Sequence, residues 1–253
     1  MDLHGKVAVV TGGAHRVGKG IALALAREGA HVVVHYGRAA DEADDTRREI
    51  ESFGVEAYPV QADLAKPDEI DALFAAVKDY FGRLDVLVNS AANFIKEPFD
   101  QITLDSWKDA LQVNLRAPFL CSQQAARLMK QSSRPSDESA LIVNISDLMG
   151  IQPWRNFVQH GVAKAGLNQL TQVMAVELAP AIRVNAIVPG PILPPANLPP
   201  DAWQRIYEAV PLKRPGNPGY IAQTVVFLAA NDFITGAIIP VDGGGHLVGP
   251  RQG

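Results

Sequence analysis

The segment KVAVVTGGAHRVGKGIALALAREG, Lys6–Gly29, constrains this chain more than any other part of it. Val7, Val9 and Val10 are β-branched within an unbroken apolar run, the pattern of a parallel strand covered on both faces. Thr11, Gly12 and Gly13 end that run, because glycine lets the backbone turn sharply and come close to a ligand. From Val17 onward, Ile21, Leu23, Ala24 and Leu25 form an apolar helical stripe that stops at Gly29. A strand, a tight turn and a helix in direct succession bring the helix's unpaired N–H groups and the positive end of its dipole to the turn. Such a turn attracts phosphate and predicts a dinucleotide site.

The same alternation continues along the chain. Strands are expected at Val7–Thr11, His31–Tyr36, Glu56–Gln61, Val86–Asn89, Ala140–Ile145, Arg183–Val188 and Ala237–Val241. Helices are expected at Gly18–Glu28, Ala40–Phe53, Pro67–Phe81, Leu104–Lys130, Phe157–Leu178 and Gly219–Ala230. This is the pattern of an α/β chain with a Rossmann-type doubly wound parallel sheet, seven strands with helices on both faces, in one domain over residues 1–253. SSRPSDES, Ser132–Ser139, reads as a polar surface loop. Pro189–Gly219 is rich in proline and follows the sixth strand at its carboxyl end, where open parallel sheets bind ligands. A substrate lid is expected near 190–218, with a short helix at Asp201–Ala209 carrying Trp203 and Tyr207 over the site.

Composition narrows the function. A formal charge of −4 gives no basic footprint, so nucleic acid is not an expected partner. No apolar run reaches membrane-spanning length, and the first strand starts almost at once, so a cytoplasmic protein without membrane contact is expected. The single cysteine, Cys121, lies in an apolar run and reads as a buried core residue. No second histidine or cysteine stands at metal-ligand spacing from His160, so no metal is expected there.

Several motifs in order resemble the short-chain dehydrogenase/reductase superfamily. TGGAHRVG, Thr11–Gly18, is similar to its Thr-Gly-x3-Gly-x-Gly loop, with Arg16 in place of the middle glycine. Asp63-Leu64 resembles the adenine-side acidic motif, and Asn89-Ser90-Ala91-Ala92 the Asn-Asn-Ala-Gly motif after the fourth strand. Asn114 matches the asparagine of the catalytic tetrad, and Pro189-Gly190 the turn after the sixth strand. The resemblance implies a strand order of 3-2-1-4-5-6-7 and a homotetramer or homodimer. It also implies cofactor contacts from Gly12, His15, Arg16, Val17, Gly18, Tyr36, Arg38, Asp63, Leu64, Asn89, Ser90, Ala91, Lys164, Pro189 and Gly190. Arg16, Asn93-Phe94 and Asp147 resemble the pteridine reductase branch. There the arginine touches a cofactor phosphate, the phenylalanine stacks on the pterin and the aspartate replaces a catalytic serine. Here those roles fall to Arg16, Phe94 and Asp147.

Cofactor choice is read after the second strand, where an acid serves NAD and arginines serve the 2′-phosphate of NADP. HVVVHYGRAADEA has no acid at the strand end, and Arg38 follows closely. Arg16 and Arg38 make a guanidinium clamp suited to a phosphate, so NADP(H) is the expected cofactor.

One position departs from the family. The expected tyrosine, four residues before Lys164, is His160. Histidine and lysine four apart share a helix face. The expected catalytic set is Asn114, Asp147, His160 and Lys164, with Phe94, Asp147 and Trp203 at the substrate. Three functions fit these residues. One is an NADPH-dependent reductase of a pteridine-like C=N substrate. Another is a reductase of a different carbonyl or enone, and the third is a catalytically impaired NADP(H)-binding protein. A small-molecule substrate is the partner under the first two.

Overall fold

The computed structural model describes residues 1–135, 138–195 and 198–248. Strand β1 (Val7–Thr11) is buried at every position, as are β4 (Val86–Asn89) and β5 (Ala140–Ile145). Helices cover both faces of the sheet, which is why these runs carry no polar alternation. With β2 (His31–Tyr36), β3 (Ala57–Gln61), β6 (Ile182–Pro189) and β7 (Ile238–Val241) they form one seven-stranded sheet, ordered β3-β2-β1-β4-β5-β6-β7. Every pairing is parallel. The Rossmann-type α/β expectation and its strand order hold.

The helices are α1 (Arg16–Arg27), α2 (Ala40–Glu51), α3 (Pro67–Phe81), α4 (Leu104–Leu111), α5 (Ala117–Gln131), α6 (Val158–Leu178), α7 (Pro200–Glu208) and α8 (Pro218–Ala230). α3 shows why its limits were readable. Pro67 occupies its first turn, where no N–H is needed, and Gly82 ends it in the left-handed region at φ 68°. Two cores lie on opposite sides of the sheet. Val10, Val32 and Val34 pack with Ile21, Leu25, Ile221 and Leu228 on one side. Val9, Leu87 and Ile142 pack with Leu73, Phe74, Cys121 and Met129 on the other. Burial pushes the Cys121 thiol up to about 12, so it stays protonated and inert.

Strand order reverses beside β1, where β2 lies on one edge and β4 on the other, and such a switch point opens a crevice at the carboxyl ends. Thr11 and Asn89 face each other there in register.

Three expectations need correction. The single helix over Leu104–Lys130 is two helices joined by a π-helical segment, Gln112–Arg116. One extra residue in the turn hardly disturbs an amphipathic pattern, so periodicity misses it. The Ser132–Ser139 segment is not simply surface. Ser132 is buried and accepts the Leu84 N–H, while Arg134 donates to the Leu84 carbonyl and pairs with Asp85; residues 136 and 137 lie outside the described set. Finally, α1 starts at Arg16 rather than Gly18. No described helix is long and apolar enough to cross a membrane.

Candidate active site

The glycine turn is tightly built. Gly12 sits at φ 65°, and a Cβ there would lie 3.0 Å from the Ala91 Cα. A Cβ on Gly18 would lie 2.0 Å from the Gly12 carbonyl oxygen, so only glycine fits. The Thr11 hydroxyl accepts the N–H groups of Ser90 and Ala91 at 2.9 and 3.1 Å, tying β1 to the turn after β4.

Neither glycine N–H points to open space. Gly12 N–H donates to His35 Nδ1 at 3.0 Å and Gly13 N–H to the His35 carbonyl at 2.9 Å. The α1 ladder begins with Lys19 N–H donating to the His15 carbonyl, which leaves the N–H groups of Arg16, Val17 and Gly18 without intrahelical partners. The unpaired donors at this turn are therefore those of the first turn of α1 rather than those of the glycines.

Other expected cofactor residues fall into distinct settings. Arg16 has a left-handed backbone at φ 54°, and its guanidinium donates to the Pro194 and Leu193 carbonyls at 3.0 and 3.5 Å. It is thus turned to the lid segment, away from the clamp with Arg38 that the sequence suggested. His15 is an exposed N-cap in extended conformation. Arg38 is exposed and has no side-chain partner among the described residues, whereas Tyr36 is half-buried against the α1 side of the core. The Asp63 carboxylate accepts the Ala65 N–H at 3.0 Å, and Leu64 is buried in the core. Asn89 turns inward: its amide donates to Asn144 and Ser122 at 2.9 and 3.1 Å, and Asn144 donates onward to Thr171 of α6. Gly190 N–H donates to the Val241 carbonyl, and a Cβ there would sit 2.5 Å from the Asp242 Cα, so the Pro189-Gly190 turn is pressed onto the chain after β7.

α6 presents His160 and Lys164 one turn apart. The Lys164 ammonium donates to the Ile145 carbonyl at 2.8 Å. Burial pulls its pKa down to about 8, partly offset by the Asp147 carboxylate. His160 is 2% exposed, and neither ring nitrogen has a hydrogen-bond partner. Its Nε2 lies 3.6 Å from Asp147 Oδ2, just beyond hydrogen-bond reach. Asp147 is also a cap: its Oδ1 accepts the Met149 N–H at 2.8 Å and starts the 3₁₀ turn Leu148–Gly150. Phe94, 49% exposed, meets the His160 ring edge-to-face at 5.0 Å and the Phe157 ring at 4.8 Å. A buried imidazole and a carboxylate therefore lie beside a half-exposed aromatic ring.

Asn114 belongs to the π segment and is fully buried. Its amide donates to the Ala110 carbonyl, to the Asn93 carbonyl at 3.1 Å and to the Asn93 side-chain oxygen, leaving Oδ1 without a partner. Trp203 stacks edge-on against Tyr207 at 6.0 Å within α7, none of whose residues is buried. Among the described residues, the aromatic contact of Trp203 is with Tyr207 and not with Phe94 or His160. The glycines after β7 pack against Val210, Pro211 and Leu212, with Leu212 N–H donating to the Gly243 carbonyl.

Sequence reasoning missed Thr11, His35, Glu97 and Gln159. Glu97 Oε2 accepts from Gln159 at 3.1 Å and from Ser106 at 2.6 Å, pinning the Phe94 loop to the residue before His160. Glu97 and Gln159 are separated by 62 positions, so no local pattern announces the contact.

Residues 12–246 match the family model described as enoyl-(acyl carrier protein) reductase. The chain is 37% identical over 246 residues to the 3-oxoacyl-(acyl-carrier-protein) reductase of Synechocystis, covering 96% of this chain and 97% of that one. It is 34% identical over 250 residues to 3beta-hydroxysteroid dehydrogenase 1 of Eggerthella lenta, covering 96% and 94% of the two. Among solved structures, FolM alternative dihydrofolate reductase 1 from Brucella canis, complexed with NADP, superposes with a TM-score of 0.90 at 32% identity, over 97% of this chain and 96% of that one. The sheet order, the glycine turn and these likenesses agree: the chain belongs to the short-chain dehydrogenase/reductase superfamily of nicotinamide-dependent oxidoreductases.

Proposed function

We propose that this chain is an NADPH-dependent reductase of pteridine-like C=N substrates. The observation that carries the reading is the unbonded, buried His160 imidazole beside Asp147, roofed by the exposed ring of Phe94. A flat heteroaromatic substrate suits that ring face, and offset stacking on it is worth about 0.5–1.5 kcal/mol.

The residues present fit a phosphorylated nicotinamide dinucleotide. Gly18 lets the Gly12 carbonyl pack against the start of α1, the first turn of α1 offers free N–H donors, and β2 ends without an acid. Arg38 is exposed for a 2′-phosphate, and Arg16 joins it by leaving the Pro194 carbonyl. The similar Brucella canis structure, which is complexed with NADP, supports the same choice. When bound, the cofactor supplies a hydride. The protein's part is to hold the rings and manage one proton. Lys164, oriented by the Ile145 carbonyl, binds the ribose; Asp147 and His160 deliver the proton to the substrate nitrogen; the free Asn114 Oδ1 holds a water for resupply. A C=N nitrogen is more basic than a ketone oxygen and tolerates the loss of a phenol better.

A second reading, reduction of another carbonyl or enone, is favoured by the likeness to the oxoacyl reductase and hydroxysteroid dehydrogenase relatives. A third is an NADP(H)-binding protein whose catalysis faded with the tyrosine. One panel separates them: NADPH oxidation with a dihydropterin, a 3-oxoacyl thioester and an enoyl thioester, for wild type and His160→Tyr. Saturable dihydropterin turnover by wild type is expected, with His160→Tyr gaining on the ketone by about tenfold or more. Ketone turnover alone would replace the pteridine reading; NADPH binding without turnover would leave the third.

The same reading includes one domain over 1–253 with a lid near 190–218, a cytoplasmic setting and no nucleic-acid partner. It also includes a homo-oligomer, tetramer or dimer, supported by an open groove between α4, α5 and α6 lined by Trp107, Leu111, Leu115, Phe119 and Leu170.

A further inference from the structure

His35 lies on β2, 3% exposed, and both of its ring nitrogens are bonded. Nδ1 receives the Gly12 N–H at 3.0 Å, and Nε2 lies 3.0 Å from the Ala62 carbonyl oxygen. A backbone N–H can only donate, so Nδ1 is the bare acceptor; a carbonyl can only accept, so Nε2 carries the hydrogen. One neutral tautomer alone satisfies both contacts. The His35 carbonyl accepts the Gly13 N–H as well, so a single residue holds both glycines of the turn and ties them to the end of β3. Gly12, at φ 65°, has no other hydrogen-bond partner for its N–H among the described residues, and a Cβ there would lie 3.0 Å from the Ala91 Cα.

We infer that His35 is a positioning residue for dinucleotide binding: its neutral imidazole fixes the Gly12–Gly13 turn beneath the first turn of α1, and a proton on Nδ1 releases that turn and weakens binding. The inference rests on the NADP(H) reading above. A protonated ring would set an N–H against the Gly12 N–H, two donors with no acceptor between them, in a part-buried place.

The surroundings offer a proton little support. In the sheet, His35 pairs with Val60, and its neighbour Val34 pairs with Val10 of β1 and Pro59 of β3. Charged and titratable side chains nearby in the fold are engaged elsewhere. Tyr36 packs on the other core face, and Asp63 accepts the Ala65 N–H. Lys66 pairs with Glu69, Arg116 donates to the Ala65 carbonyl, and Arg38 is exposed. Burial lowers the His35 pKa, against which only the Ala62 carbonyl pulls. The turn is therefore set at neutral pH and comes loose on acidification below the ordinary histidine range.

The test measures NADP+ affinity by calorimetry from pH 8 down to pH 4.5 for wild type, His35→Asn and His35→Leu. Asparagine supplies a fixed acceptor oxygen near the Nδ1 position and does not titrate. The 2′-phosphate itself titrates near pH 6, so the readout is the difference between wild type and His35→Asn. At pH 8, His35→Asn is expected within about threefold of wild type, and His35→Leu weaker by about tenfold. On acidification, wild type should lose about tenfold more affinity than His35→Asn. Imidazole ¹⁵N shifts of the apoprotein should report the Nε2–H tautomer of His35 at pH 7, a readout independent of the nucleotide. Parallel pH curves for wild type and His35→Asn, or a wild-type-like His35→Leu, would overturn the role of His35. No wild-type binding at any pH would overturn the NADP(H) reading itself, and the inference with it.

Discussion

An ammonium group enclosed by protein is the most expensive single residue in this site. Lys164 is 3% exposed and makes one hydrogen bond, to the Ile145 carbonyl, and its pKa falls from 10.5 to about 8. Below pH 8 both the folded and the unfolded chain hold the proton, so the burial penalty of roughly 3 kcal/mol is fully felt. Between pH 8 and 10.5 the folded chain sheds its proton first and the penalty disappears. Lys164→Met should therefore stabilise the apoprotein at pH 7 by about 1–2 kcal/mol, after allowing for the orphaned Ile145 carbonyl, while abolishing turnover. Urea denaturation at pH 7 and pH 9.5 checks it: the gain should shrink at the higher pH. The convergence of Asp147, His160 and Lys164 was legible, because one helix face carries two of them and a strand end the third. The direction of Arg16 was not. It depends on a left-handed backbone at a non-glycine residue, which no propensity foretells.

At the scale of elements, the Phe94 loop owes its place to two anchors on different helices. Asn114 of the π segment holds Asn93, and Glu97 reaches Gln159 of α6. Glu97→Ala should raise KM for a flat substrate by about fivefold with little change in kcat, since it frees the ring face without touching the proton donors. Steady-state kinetics and a thermal midpoint near that of wild type would check this. The existence and order of the strands were readable from β-branched runs and glycine or proline stops. Helices α4 and α5 read as one because the hydrophobic stripe runs across the π turn unbroken. Only the side-chain bond from Asn114 to the Ala110 carbonyl reveals why the turn widens there.

At the scale of the molecule, the sheet opens a crevice at one end and leaves apolar side chains along its flanks. Phe119 is 42% exposed in the groove between α4, α5 and α6, a place where a lone chain gains nothing from an aromatic ring. Phe119→Arg should shift the protein to a smaller species in sedimentation while leaving its folded spectrum intact. The sequence made the layer architecture plain, because parallel strands buried on both sides allow few alternatives. It could not reveal the groove, whose residues are spread over three helices and share no pattern.

The parallel sheet also dictates when the molecule can be completed. No two adjacent strands are joined by a tight turn, and Thr11 at the head of the chain finds its partner only at Asn89. Until the ribosome has released that second stretch, the central ribbon has one bare border. Its closure waits on chain made much later, and the nucleotide crevice comes into being at that same moment.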